Sequence, residues 1–195
     1  MEKVIIRTRD NKSWTKNQSK SGKPWACENE TLEFLYSFVR LIKPENIIEI
    51  GTFEGASAIA MGKGLKENKV GKLMTCDIKN FGQEENVNKA GLERYVECFW
   101  SAIPITEDFI MSAKDSFDMA FVDGGHSFEA VIKDLHNCDK LVKDGGFILG
   151  HDVVAKDGVK KAVELFLRKN ERYVGMVLPS FAGVFILKKR VKNYE

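Results

Sequence analysis

The sequence predicts an α/β domain: a doubly wound, mainly parallel sheet of seven strands in a three-layer αβα arrangement, closed by a C-terminal antiparallel hairpin. Three observations carry this prediction. Short apolar runs alternate with stripes of helical period from residue 47 to residue 169, the pattern of strands joined by helical crossovers. The runs at 47–50, 117–122 and 147–150 are apolar almost throughout, as strands covered on both faces must be. The last two runs are joined only by Pro179, Ser180, Phe181, Ala182 and Gly183, a link too short for a parallel crossover.

The elements follow in order. Residues 9–25 are rich in Lys, Ser and Asn and close on Gly22 and Pro24, so they read as a loop or flexible arm whose Trp14 and Trp25 either cover a pocket or pin the arm to the body. The chain divides into an arm at 1–27 and a single domain at 28–195. Leu32, Leu35, Tyr36, Val39 and Ile42 repeat at helical spacing until Pro44 stops them. A strand at 47–50, a helix at 56–65 and a strand at 72–78 come next, then a helix at 84–94 and a strand at 95–100. A short helix at 103–111 leads to a strand at 117–122 and a helix at 127–142, ended by Lys143, Asp144, Gly145 and Gly146. A strand at 147–150, a helix at 158–169 and strands at 173–178 and 184–187 complete the chain. Phe128, Val131, Ile132 and Leu135 form a core stripe with His136 turned to solvent, and Met111, Met119 and Met176 read as packing residues.

Bulk properties exclude several function classes. A chain of 195 residues with 44% apolar and 30% charged composition suits one soluble domain. Its 30 basic and 28 acidic residues nearly balance, so no electrostatic footprint for nucleic acid is present. The basic run of Lys188, Lys189, Arg190 and Lys192 reads as a solvated tail. Cys27, Cys76, Cys98 and Cys138 make neither a paired motif nor a zinc pattern, and the three that lie inside apolar or periodic segments read as reduced core residues. The amino-terminal apolar run is too short for a signal peptide or a membrane span, so no membrane partner is expected and residence in the cytoplasm is the default.

In a sheet of this kind ligands bind beyond the carboxyl ends of the strands, where strand order reverses. The residues there are Gly51 to Gly55, Asp77, Trp100 with Ser101, Asp123 to His126, and His151 with Asp152. The strand at 47–50 breaks into glycines and opens directly into a helix, which brings backbone N–H groups close to a ligand. A Rossmann-like diphosphate fingerprint wants glycine at its first, third and sixth positions, which here are Gly51, Phe53 and Ala56. The aromatic ring at the middle position disfavours a dinucleotide and the NAD-linked oxidoreductase that would use one. Asp77 suits a ribose, or it caps the segment that follows, and Glu49 has an ion-pair reading beside its ligand reading.

The spacing of Glu49, Gly51 and Gly55, followed by small Ala56 and Ser57, resembles motif I of the class I methyltransferases. The stretch from Phe117 through Asp123, Gly124, Gly125 and His126, continuing to His151 and Asp152, resembles the methyltransferase family that includes cephalosporin hydroxylase-like proteins and macrolide sugar O-methyltransferases. The resemblance implies an S-adenosylmethionine-dependent O-methyltransferase acting on a small hydroxylated acceptor of sugar or natural-product type. By position it implies that Glu49 and the loop of Gly51, Thr52, Phe53 and Gly55, with Ser57, hold the methionine part. Asp77 with Ile78 would hold the ribose, Ser101 the adenine, and Asp123 would reach the cofactor as well. His126 would be the general base with Asp123 beside it, and Asp123, His151 and Asp152 would hold Mg²⁺ or another divalent cation. Against this stand an NAD(P)-binding oxidoreductase and a non-catalytic binding protein on a similar fold; the label of some relatives also suggests hydroxylation. Few residues remain to wall an acceptor pocket, so the arm or a second copy of the chain in a homodimer is expected to complete it.

Overall fold

The computed structural model describes residues 27–101 and 105–191. The elements, in chain order, are α1 (Asn29–Ile42), β1 (Asn46–Ile50), α2 (Ala56–Asn68), β2 (Lys72–Asp77), α3 (Gln83–Lys89), β3 (Val96–Trp100), α4 (Glu107–Ser112), β4 (Phe117–Val122), α5 (Phe128–Leu141), β5 (Val142–Gly150), α6 (Asp157–Lys169), β6 (Tyr173–Leu178) and β7 (Val184–Lys189). They build one sheet of seven strands in the order β3-β2-β1-β4-β5-β7-β6. The five strands from β3 to β5 are parallel, and β7 runs antiparallel between β5 and β6. The predicted architecture, closing hairpin included, is the observed one.

The sheet separates two cores. On one face Leu35 and Val39 of α1 and Ala58, Met61 and Leu65 of α2 pack on Ile47, Leu73 and Phe121. On the other, Leu135 and Cys138 of α5 and Val163 and Phe166 of α6 pack on Ile48, Ala120 and Ile148. Each fully buried Leu, Ile or Phe contributes about 1.5–3 kcal/mol relative to exposure, so the alternating faces of the central strands hold both helical layers.

Local sequence sets the boundaries. Helix α5 starts where Ser127 Oγ accepts a hydrogen bond from the Ala130 N–H at 3.2 Å. The α3 helix is shorter than the predicted 84–94, because Ala90 and Gly91 close it with backbone bonds and the chain turns at Gly91 (φ 66°). Helix α4 begins at Glu107, capped by the Thr106 side chain, while residues 103 and 104 of the predicted element and the arm at 9–25 lie outside the described residues. Lys143 to Gly146, expected as a helix-ending loop, belong to β5, with an irregular register against β4 between Phe117 and Met119.

Three further expectations need correction. The basic run is not solvated throughout: Arg190 is exposed and Lys192 lies outside the described residues, but Lys189 is 1% exposed, with Nζ donating to the carbonyls of Asp139 and Val142, both at 2.7 Å. Its charge is balanced by the carboxylates of Asp139 and Asp115, at 3.5 and 3.7 Å. Met111 and Met176 are exposed, because α4 and the edge strand β6 each turn one face outward; only Met119 packs in the core.

Register places the site. Ile50 pairs with Cys76 on one side and Val122 on the other, and Val122 pairs with Gly150. The next residues, Gly51, Asp77, Asp123 and His151, therefore leave the sheet together along one rim, at the switch in strand order between β1 and β4.

Candidate active site

The glycine loop sits against the end of β4. Gly51 has φ 96°, and a Cβ there would lie 2.2 Å from the Asp123 carbonyl oxygen, so both conformation and space demand glycine. Phe53 also has positive φ, 47°, which costs a bulky residue energy and is held by its surroundings. What holds it is Asp77, whose Oδ2 accepts the N–H groups of Thr52 at 2.9 Å and Phe53 at 2.8 Å. Asp77 Oδ1 accepts the Ile78 N–H at 2.7 Å, leaving about one of the roughly four lone-pair positions of the carboxylate for a ligand. The capping alternative for Asp77 is thus realised, and it serves the loop before it as well as the residue after it. The Phe53 ring packs edge-on against Phe81 at 5.1 Å.

Beneath the loop lies a buried polar chain. Thr52 Oγ1 meets Thr75 Oγ1 at 2.5 Å, and Thr75 donates to Glu49 Oε2, also at 2.5 Å. Glu49 is fully buried, and burial pushes its carboxyl up to about 7 against the pull of the Ser57 and Thr75 hydroxyls. Among the described residues, Glu49 Oε1 is the buried side-chain oxygen without a hydrogen-bond partner. Such a group is costly unless a ligand completes it.

The second half of the site gathers on Asp123. His126 Nε2 stands 2.9 Å from Asp152 Oδ2 and 3.9 Å from Asp123 Oδ1. The carboxylates of Asp123 and Asp152 raise His126 to about 9. Asp152 is held at φ 64°, a left-handed conformation that aims its carboxylate back across the rim toward His126. On the inner side of Asp123 lies His151, its Nδ1 3.6 Å from Asp123 Oδ1 and its Nε2 2.6 Å from Glu28 Oε2. Burial lowers His151, but Asp123 and Glu28 outweigh it and raise the ring to about 10. Burial likewise opposes the charged form of Asp123, yet hydrogen bonds from His126, His151 and Cys27 hold it below the ordinary aspartate value.

Two groups of metal-competent side chains share Asp123: an outer one with His126 and Asp152, and an inner one with Cys27 and His151. The predicted cation ligands Asp123, His151 and Asp152 are neighbours, with His151 Nδ1 3.6 Å from Asp123 Oδ1 and 4.0 Å from Asp152 Oδ2, while its Nε2 is taken by Glu28. Of the other predicted residues, Thr52 and Ser57 are buried under the loop, Ile78 is exposed, and Ser101 follows β3 with its N–H on the Asp77 carbonyl at 3.1 Å. Trp100, at the end of β3, is 40% exposed. Sequence reasoning missed Glu28 and Cys27. Cys27 stands 96 positions from Asp123 and Glu28 stands 123 from His151, separations that carry no spacing signal; the acidic residue just before α1 was the one local hint.

Comparison with known proteins shows the family. The Methyltransferase domain family model matches residues 48–153. Caffeoyl-CoA O-methyltransferase from Mesembryanthemum crystallinum is 31% identical over 172 residues, 82% of this chain and 64% of that protein. Caffeoyl-CoA O-methyltransferase 2 from Populus trichocarpa is 32% identical over 148 residues, 72% of this chain and 58% of its own length. The chain thus spans about three fifths of these curated relatives. Among solved structures, the O-methyltransferase from Bacillus cereus in complex with SAH superposes with a TM-score of 0.71 at 20% identity, covering 86% of this chain and 84% of that one. An O-methyltransferase from Streptomyces achromogenes in complex with SAM gives 0.70 at 20% identity, covering 85% and 82%. At that identity the structures speak for the fold alone, a class I methyltransferase fold. With more than half of its length matched by the family model, the chain belongs to the methyltransferase domain family.

Proposed function

We propose that this protein transfers the methyl group of S-adenosylmethionine to an oxygen of a small hydroxylated acceptor, of sugar or natural-product type. The observation that carries the reading is the unpartnered, buried Oε1 of Glu49 at the root of the glycine loop. An ammonium group such as that of the methionine moiety would complete it as a charge-assisted hydrogen bond. The Gly51 to Gly55 backbone, with Thr52 and Phe53 fixed by Asp77, would border the same moiety, and the remaining Asp77 lone pair suits a ribose hydroxyl. Ser101 and the exposed faces of Trp100 and Ile78 would border the adenine. The names of the curated relatives, caffeoyl-CoA O-methyltransferases, support oxygen as the acceptor atom.

In the transfer the acceptor oxygen loses its proton, attacks the methyl carbon, and the carbon–sulfur bond breaks with its electron pair left on sulfur. The chain must hold the acceptor in line and remove the proton. His126 Nε2 is the group for that proton, with Asp152 fixing the ring. As the structure stands His126 carries a proton at neutral pH, so it serves as a base only near or above pH 9 or once Asp123 and Asp152 direct their charge elsewhere. Their two carboxylates with His126 make a donor set that fits a divalent cation, its ligand atoms within 4.8 Å of one another. When bound, such a cation would act as a Lewis acid on the acceptor hydroxyl. A second copy of the chain would supply the missing acceptor wall.

The test is transfer of labelled methyl from S-adenosylmethionine to a panel of catechols and sugars, with and without chelator. His126→Ala should keep cofactor affinity and lose turnover by about 10²–10⁴-fold. Unchanged turnover removes His126 from the mechanism, activity that survives the chelator removes the cation, and a monomeric, active protein by light scattering removes the second copy.

A further inference from the structure

We infer that Cys27, His151 and the carboxylate of Asp123 form a second, buried metal site, selective for a borderline transition ion such as Zn²⁺, Co²⁺ or Fe²⁺. Three donors of different chemistry converge there. Cys27 Sγ donates to Asp123 Oδ2 at 3.1 Å, and His151 Nδ1 lies 3.6 Å from Asp123 Oδ1. One ligand atom from each lies within 4.8 Å of the others. Tetrahedral Zn²⁺ bonds of about 2.0–2.3 Å put ligand atoms roughly 3.3–3.8 Å apart, so contraction of about an ångström closes the site.

The inner group is also built from outside. Glu28 places Oε2 on His151 Nε2 at 2.6 Å. That same oxygen accepts from Thr31 Oγ1 at 3.1 Å, and Oε1 accepts the Ala182 N–H at 2.8 Å, so the carboxylate cannot swing away. A histidine whose far nitrogen is held by a fixed carboxylate, with the near nitrogen facing an oxygen ligand, has the outer shell of a metal-bound imidazole. Cys27 and His151 are each 7% exposed, so the site excludes competing water. In the metal-free chain a thiol proton and the Nδ1 proton satisfy Asp123; on binding both are released to solvent and thiolate, imidazole and carboxylate become ligands. A thiolate with an imidazole discriminates against Mg²⁺ and Ca²⁺, which favour oxygen alone. The outer pair of Asp123 and Asp152 with His126 differs in chemistry, so one aspartate bridges a hard and a softer position. This inference concerns metal binding alone and stands whether or not methyl transfer is found.

The experiment is anaerobic titration of the reduced, chelator-stripped full chain with Co²⁺, followed by absorption. The inference expects a sulfur-to-cobalt charge-transfer band in the near ultraviolet that saturates at one equivalent. Cys27→Ser should abolish the band, Cys98→Ser should leave it, and circular dichroism with thermal melting should show both variants folded. Glu28→Gln should weaken Co²⁺ binding about 10–100-fold. Asp152→Asn should keep the band, since Asp152 Oδ2 stands 4.0 Å from His151 Nδ1 and is paired with His126 at 2.9 Å instead. Cobalt bound without sulfur character, a band that survives Cys27→Ser, or a band lost in Asp152→Asn would each overturn a separate inner site. No cobalt uptake at all would reduce the cluster to a hydrogen-bonded core network.

Discussion

Gly51→Ala isolates the contact that joins the glycine loop to the end of β4. Two costs add at this position. At φ 96° alanine adopts a left-handed backbone, costing about 1–2 kcal/mol, and its Cβ meets the Asp123 carbonyl oxygen and carbon at 2.2 and 2.4 Å. Relieving that overlap requires backbone shifts worth about 1–3 kcal/mol. Alanine also restricts the unfolded chain, which returns about 0.4–1 kcal/mol. The net loss is about 1–4.5 kcal/mol, by sum of these terms. Gly82 supplies the control, because its φ is 85° yet nothing lies within 4 Å of an added Cβ. Gly82→Ala should lose only about 0–1.5 kcal/mol. Urea denaturation followed by circular dichroism measures both, and the difference between the variants reads the contact term directly. Equal losses would refute the claim that loop and strand end are locked together. Gly51→Ala should also weaken S-adenosylhomocysteine binding, because relief of the clash moves Asp123 or the loop.

Other outcomes follow from the charges. His126 and His151 are raised from 6.5 to about 9 and about 10, so their stabilising effect is full below pH 6.5 and lost as pH rises through those values. The urea midpoint of chelator-stripped protein should therefore fall between about pH 7 and pH 10, and a flat profile contradicts the two ion-paired rings. Asp77→Ala strands the Thr52 and Phe53 N–H groups and should cost about 1–3 kcal/mol together with cofactor affinity, whereas Asp77→Asn keeps an acceptor and should lose less. An Asp77→Ala protein as stable as wild type would remove the clamp. Glu49, raised to about 7, should release a proton when an ammonium ligand binds near neutral pH, so calorimetric heats should differ between buffers of unlike ionisation enthalpy. Identical heats would separate Glu49 from the ligand.

The architecture was legible because its signals are local. An apolar strand, a glycine loop and a helical stripe repeat along the chain, and register then carries Gly51, Asp77, Asp123 and His151 to one rim. Misreadings arose where tertiary context overrode composition. Lys189 looks solvated in sequence, yet the carboxylates of Asp115 and Asp139 are brought to it by other elements. Gly145 and Gly146 signal a turn, yet they fall within β5, where Gly145 has φ 81° and the register against β4 is irregular. At the rim, the positions that meet were readable but the contacts each side chain makes were not. Asp77 spends three of its bonds on backbone before any ribose, and His151 is turned inward by Glu28, a contact across 123 positions that no spacing foretells.

The central claim is that the glycine loop and Glu49 hold S-adenosylmethionine, and calorimetry tests it most directly. S-adenosylhomocysteine, NAD and NADP would each be titrated into wild-type protein and into Glu49→Ala. The account predicts micromolar binding of S-adenosylhomocysteine, about −8 kcal/mol, lost or much weakened in Glu49→Ala, and no comparable binding of either dinucleotide. Micromolar binding of NAD or NADP with none of the homocysteine nucleoside would contradict it.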